Sequence, residues 1–127
     1  MTSPLARLSI FFLLILAGCG EKIQPLAGGK PFDYWFQAAE HKDPKVRAQA
    51  VAKLANIGAA SERVHSALLT ATKDKDPRVR CQAILALVKL PGLASKSLPV
   101  IRELNAHDND AHVRQYAAAA IDKLSAQ

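Results

Sequence analysis

One phrase occurs three times along this chain of 127 residues: Asp43-Pro44-Lys45-Val46-Arg47, Asp76-Pro77-Arg78-Val79-Arg80 and Asp110-Ala111-His112-Val113-Arg114. The starts lie 33 and 34 residues apart, and each phrase opens a run rich in alanine and leucine. A unit of that length cannot bury its apolar face alone and must stack on its neighbours. The chain therefore reads as all-α, a short α-α solenoid of three two-helix repeats.

Apolar spacing marks the first helix of each unit: Phe32, Trp35, Phe36 and Ala39, then Val64, Ala67, Leu68 and Ala71, then Leu98, Ile101 and Leu104. The last of these contains Pro99, whose ring is tolerated in a first helical turn, so that helix is predicted to begin near Ser97. The second helix of each unit opens at the repeated phrase. Its aspartate is placed as N-cap, and Pro44 and Pro77 take the first helical position. Val46/Val79/Val113, Ala50/Ala83/Ala117, Val51/Ile84/Ala118, Leu54/Leu87/Ile121 and Ile57/Leu90/Leu124 align as one core face. Gly58 and Pro91-Gly92 are expected to stop two of these helices, with Ser61 and Ser95 capping the next helix in each case.

Ahead of the repeats, Arg7 precedes an apolar run from Leu8 to Leu16, followed directly by Ala17-Gly18-Cys19. A spanning helix needs about 20 apolar residues, so this run suits a signal-peptide core. Leu16-Ala17-Gly18-Cys19 resembles the lipobox of bacterial lipoproteins. That resemblance implies cleavage before Cys19 and lipidation of its thiol by diacylglycerol, with an acyl chain on the new amine. It divides the chain into a signal peptide (1–18), a lipidated N-terminus and flexible tether (19–30) and a repeat domain (31–127). It also places the domain in a bacterial envelope, facing the periplasm on a membrane anchor. Gly20 after the cysteine, in place of aspartate, resembles lipoproteins sorted to an outer membrane. With Cys19 alkylated, Cys81 has no partner for a disulfide.

The repeats resemble HEAT repeats of the short bacterial type, in which Asp-Pro-x-Val-Arg opens the second helix. The resemblance implies that the second helices form a concave face and that aspartate and arginine make a hydrogen-bonded ladder between units. Matched by position, the ladder residues are Asp43, Asp76 and Asp110 with Arg47, Arg80 and Arg114. The third unit has Ala111 where proline is usual and one extra residue in its turn.

Catalytic chemistry needs convergent polar groups, and the sequence offers few. The stretch from His107 to His112 has two imidazoles, but Asp110 is already a cap, so a solvated turn is expected there and no metal or other cofactor. His41 and His65 stand alone and are expected to be partly exposed; Cys81 is expected as a small buried hydrophobe. No His-Glu pair of the iron-binding HEAT-like enzymes occurs. A HEAT-like lyase or lyase subunit is thus the alternative, and the chain reads as no enzyme, with no small-molecule substrate evident. The formal net charge of +6 favours acidic proteins, anionic head groups or envelope polymers. Lys45, Arg78 and His112 form the column placed to touch a protein partner. A nucleic-acid binder is the third reading, disfavoured by export and by the lack of interleaved aromatic residues. The function expected is a membrane-anchored interaction or scaffolding module.

Overall fold

The computed structural model describes residues 26–27, 29–57 and 61–126. The signal peptide, Cys19, Gly20 and Gly58 lie outside the described residues. Six helices follow one another: α1 (Phe32–Ala38), α2 (Pro44–Ile57), α3 (Glu62–Ala71), α4 (Pro77–Val88), α5 (Ala94–His107) and α6 (Ala111–Ser125). They pair as α1/α2, α3/α4 and α5/α6, and the pairs stack through α2 on α4 and α4 on α6. The close approach within that second-helix layer follows from its small residues, since Ala50, Ala83 and Ala117 are all fully buried.

The helix starts obey the sequence. Asp43, Asp76 and Asp110 each accept the backbone N–H two residues on, at 2.8, 2.9 and 2.9 Å. Pro44 and Pro77 open α2 and α4, and Ser61 caps α3 by accepting from the Val64 N–H. The fifth helix departs from expectation. A single 3₁₀ turn, Pro91–Leu93, feeds directly into α5 at Ala94, so Ser95 lies inside the helix and caps nothing. Pro99 consequently sits in the helix interior, beyond the first turn. It is exposed there, as is Ser95, so the Ser95 carbonyl left without its N–H donor can be hydrated.

The expected tether also differs at its end. Leu26–Ala27 (β1) and Lys30–Pro31 (β2) pair antiparallel with Leu26 opposite Pro31, and β1 lies against α2. Gly29 has a φ of 74°, the left-handed conformation such a tight connection requires. The last residues of the predicted tether are therefore part of the folded body.

The core runs through all three units: Trp35, Val51 and Leu54 in the first, Val64, Leu68, Ile84 and Leu87 in the second, Ile101, Val113 and Leu124 in the third. Position decides the exceptions. Val46, Ile57 and Ile121 are half-buried and Ala118 is exposed, because the outer units have a neighbour on one side only. Leu87 belongs to the covered central unit and has no accessible surface. Leu87→Ala is expected to cost roughly 2 to 5 kcal/mol and to melt the three units together. A denaturant titration following helicity checks both points.

Candidate interaction surface

The inter-unit bonds begin at the second-helix arginines, with different acidic partners from those expected. Arg47 donates from Nε and Nη2 to both oxygens of Asp74, at 2.7 and 2.9 Å. Arg80 does the same to Asp108, at 2.8 Å for both bonds. Each arginine also turns back on its own unit: Arg47 Nη1 donates to the carbonyls of His41 and Lys42, and Arg80 Nη1 to those of Asp74 and Lys75. Arg114 repeats only the carbonyl bond, to Asp108, and meets no carboxylate among the described residues.

Asp43, Asp76 and Asp110 thus keep their place at helix starts but not in the ladder, whose acids, Asp74 and Asp108, lie two residues before the last two of them. The reason is geometric. A cap carboxylate is committed to its own helix N-terminus, whereas Asp74 and Asp108 project from the turn towards the preceding unit. Asp74 and Asp108 also accept the N–H of Asp76 and Asp110, at 2.8 and 2.9 Å, so each holds its own turn as well. The signal was present in the sequence as an aspartate two before the cap in units two and three. In unit one the position is His41, whose Nδ1 accepts from the Asp43 N–H at 3.0 Å. Among the described residues no arginine reaches its ring.

These pairs are largely dry. The side chains of Arg80 and Asp108 are 10 % and 5 % exposed. Burial pushes the carboxyl groups of Asp74 and Asp108 upward, but the arginine hydrogen bonds, turn N–H groups and opposite charge outweigh it, leaving both below the ordinary value. Arg47 and Arg80 are raised, chiefly by those hydrogen bonds, against desolvation.

A second inter-unit link was not foreseen. His65 is buried, contrary to the expected partial exposure, and its Nε2 lies 3.2 Å from Ser97 Oγ on α5. Ser97 Oγ donates to the Leu93 carbonyl and so accepts from His65. A lone histidine has no sequence signal for burial; here the third-unit serine that satisfies it lies 32 residues away.

The other column faces outward. Lys45 is exposed, Arg78 forms a bidentate pair with its own unit's Asp76, and the His112 ring lies 3.7 Å from Asp110. The Arg78 hydrogen bonds lead in holding Asp76 at about 2. Arg78 and His112 border a groove of about 360 Å³ between α4 and α6, lined also by Cys81, Gln82, Leu85 and Tyr116. Lys45 is not part of it. Leu85 and Tyr116 are 42 % and 41 % exposed, two of the three large apolar residues so exposed among those described. Cys81 packs against the core but is only half-buried, since its other side forms part of the groove wall. Desolvation, with help from Asp110, raises its thiol against the nearby Arg80 charge, so it stays protonated.

The polar stretch from His107 to His112 is divided among separate tasks. His107 meets Glu103 at 3.1 Å, Asp108 takes Arg80 and Asp110 caps α6. No group of three or more potential metal ligands converges among the described residues. Trp35 is buried while its neighbour Tyr34 is exposed, with Lys30 Nζ 5.4 Å from the Tyr34 ring centre.

A family model described as HEAT repeats matches residues 32–122, nearly the whole helical body. No curated protein and no solved structure matches the chain.

Two measurements separate the arginine columns. Arg80→Ala strands Asp108 in a nearly dry site and is expected to cost roughly 2 to 4 kcal/mol. Arg78→Ala, at an exposed pair, is expected to leave the melting temperature almost unchanged. The acid limb of stability tests the ladder independently. The folded-state values of Asp74 and Asp108 are depressed, so their contribution is complete above the ordinary carboxyl value near 4. It is lost as pH falls through the depressed values. Asp108→Asn should flatten that limb in a melting-versus-pH series, while lowering stability at neutral pH.

Proposed function

The chain belongs to the HEAT-repeat family, and from that premise we propose that it is a lipid-anchored, non-catalytic protein-binding module of a bacterial envelope. HEAT repeats commonly mediate protein–protein interaction, and the groove between α4 and α6 is the observation that carries this reading here. It exposes an aliphatic and an aromatic side chain together, bordered by polar side chains that can orient a partner. The surrounding ionic groups have structural work: the cap carboxylates hold helix starts, and two buried arginines hold neighbouring units. The groove is left as a recognition surface of modest size, suited to a short segment or a helix edge.

The anchor is proposed from Leu16-Ala17-Gly18-Cys19 after the apolar run. Acyl chains in addition to the diacylglycerol meet the requirement for stable attachment, which a single chain does not. Gly20 favours an outer membrane, with the domain facing the periplasm.

Mass spectrometry of the mature N-terminus is expected to find a lipidated Cys19; an intact Met1 or an unmodified start elsewhere overturns the anchor. Crosslinking in intact envelopes tests the groove. Leu85→Asp is expected to abolish the crosslinks of the wild-type chain without altering its melting temperature, because Leu85 lies outside the core. Unchanged crosslinks would remove the groove from the reading.

A further inference from the structure

We propose that the edge of the solenoid formed by the turns between the helices of each unit docks on an anionic lipid surface. The observation is a row of exposed lysines along two successive turns, which in the second turn flank an acid the ladder draws inward. Lys42 in the first turn, Lys45 at the start of α2, and Lys73 and Lys75 in the second turn are all exposed. None of the four meets a carboxylate within 4 Å among the described residues. Arg78 adds a fifth exposed cation, paired with Asp76. The acids of these turns point the other way: Asp74 and Asp108 are drawn inward by Arg47 and Arg80, and Asp76 and Asp110 are turned to helix N–H groups. Glu40 and the cap Asp43 are the acidic groups exposed alongside the lysines.

Backbone geometry sets the lysines at one level. Lys42 and Lys75 occupy the same position in successive turns, and each gives its carbonyl to the buried arginine of its own unit. The arginines that stack the units thus also hold the backbone of these two lysines at matching places along one edge. The third turn has Asn109 at that position, so the row of lysines runs over the first two turns.

A row of side chains on long stems, with no aromatic residue between them, suits a diffuse layer of charged head groups more than unpaired bases. The anchored reading of the chain enters only as what brings the domain to a bilayer; the edge is a property of the folded units. Reach is sufficient. Six residues lie between Cys19 and Leu26, a span of at most about 25 Å over the seven Cα steps, and helix α2 is about 21 Å long.

The test uses the full chain carrying Cys19→Ser and vesicles of phosphatidylcholine with or without phosphatidylglycerol. Phosphatidylglycerol is expected to strengthen co-sedimentation, and added salt to weaken that gain. Lys42→Glu/Lys75→Glu should lose at least about twentyfold of the gain, from roughly fivefold per lysine near such a surface. Lys89→Glu/Lys123→Glu makes the same change in net charge at the opposite ends of α4 and α6, and should retain most of it. Should the first pair shift the melting temperature, Lys42→Gln/Lys75→Gln gives the comparison without charge reversal. Equal losses in the two glutamate variants, or no dependence on phosphatidylglycerol, would overturn the proposal. Displacement from the vesicles by a DNA duplex through Lys42 and Lys75 would also overturn it, in favour of nucleic acid. An unlipidated Cys19 together with an intact phosphatidylglycerol effect would support the edge and refute the anchor.

Discussion

The structure depends on one repeated bond set, the arginines of α2 and α4 each reaching forward to an aspartate in the next turn. A guanidinium has donors enough to serve two turns at once, and Arg47 and Arg80 use them in this way. Neither partner is expendable alone, because each is nearly dry and removing one leaves a buried charge. Apolar packing along α2, α4 and α6 supplies the stacking force. The ladder supplies register, since it fixes which turn lies beside which. His65 and Ser97 do similar work between the first-helix layers of units two and three, without charge.

Register has a further effect on where charge appears. Asp74, drawn inward by Arg47, leaves Lys73 and Lys75 on either side of it uncompensated, so the bond that orders the interior there makes the second turn basic. The second-helix face is different in kind. There Arg78 is neutralised by Asp76, and exposed Leu85 and Tyr116 dominate. One small body thus presents two distinct surfaces, a cationic edge and an amphipathic groove, set side by side where Arg78 and His112 meet both.

Most of the architecture was legible because it rests on repetition. Three aligned caps, two aligned prolines and five aligned core positions left little freedom in helix phase, and Leu54, Leu87 and Val113 are buried as that phase requires. The ladder was legible only in half. The arginines stood in the repeated phrase, but the phrase also contained a conspicuous aspartate, which was already used as cap. The true acids lay outside it, and in the first unit that place holds His41. Pro99 misled for a related reason: proline is favoured at helix starts but is also tolerated on an exposed helix face, and sequence alone does not separate the two.

The two ends of the stack close in different ways, which decides where a partner can bind. At the first unit, β1 lies against α2 and Trp35 is buried. At the third, the positions that carry Ala48, Val51 and Ala55 in α2 and Cys81, Ile84 and Val88 in α4 become Gln115, Ala118 and Asp122, all exposed. The face that carries apolar contact in α2 and α4 is thus more polar in α6. Arg114 keeps its place but reaches only a carbonyl. A further repeat packed there would leave Asp122 to be desolvated and little apolar area to offset that cost. Association through the stack end is therefore disfavoured, and recognition falls to the surfaces that run along the units, the groove and the turn edge.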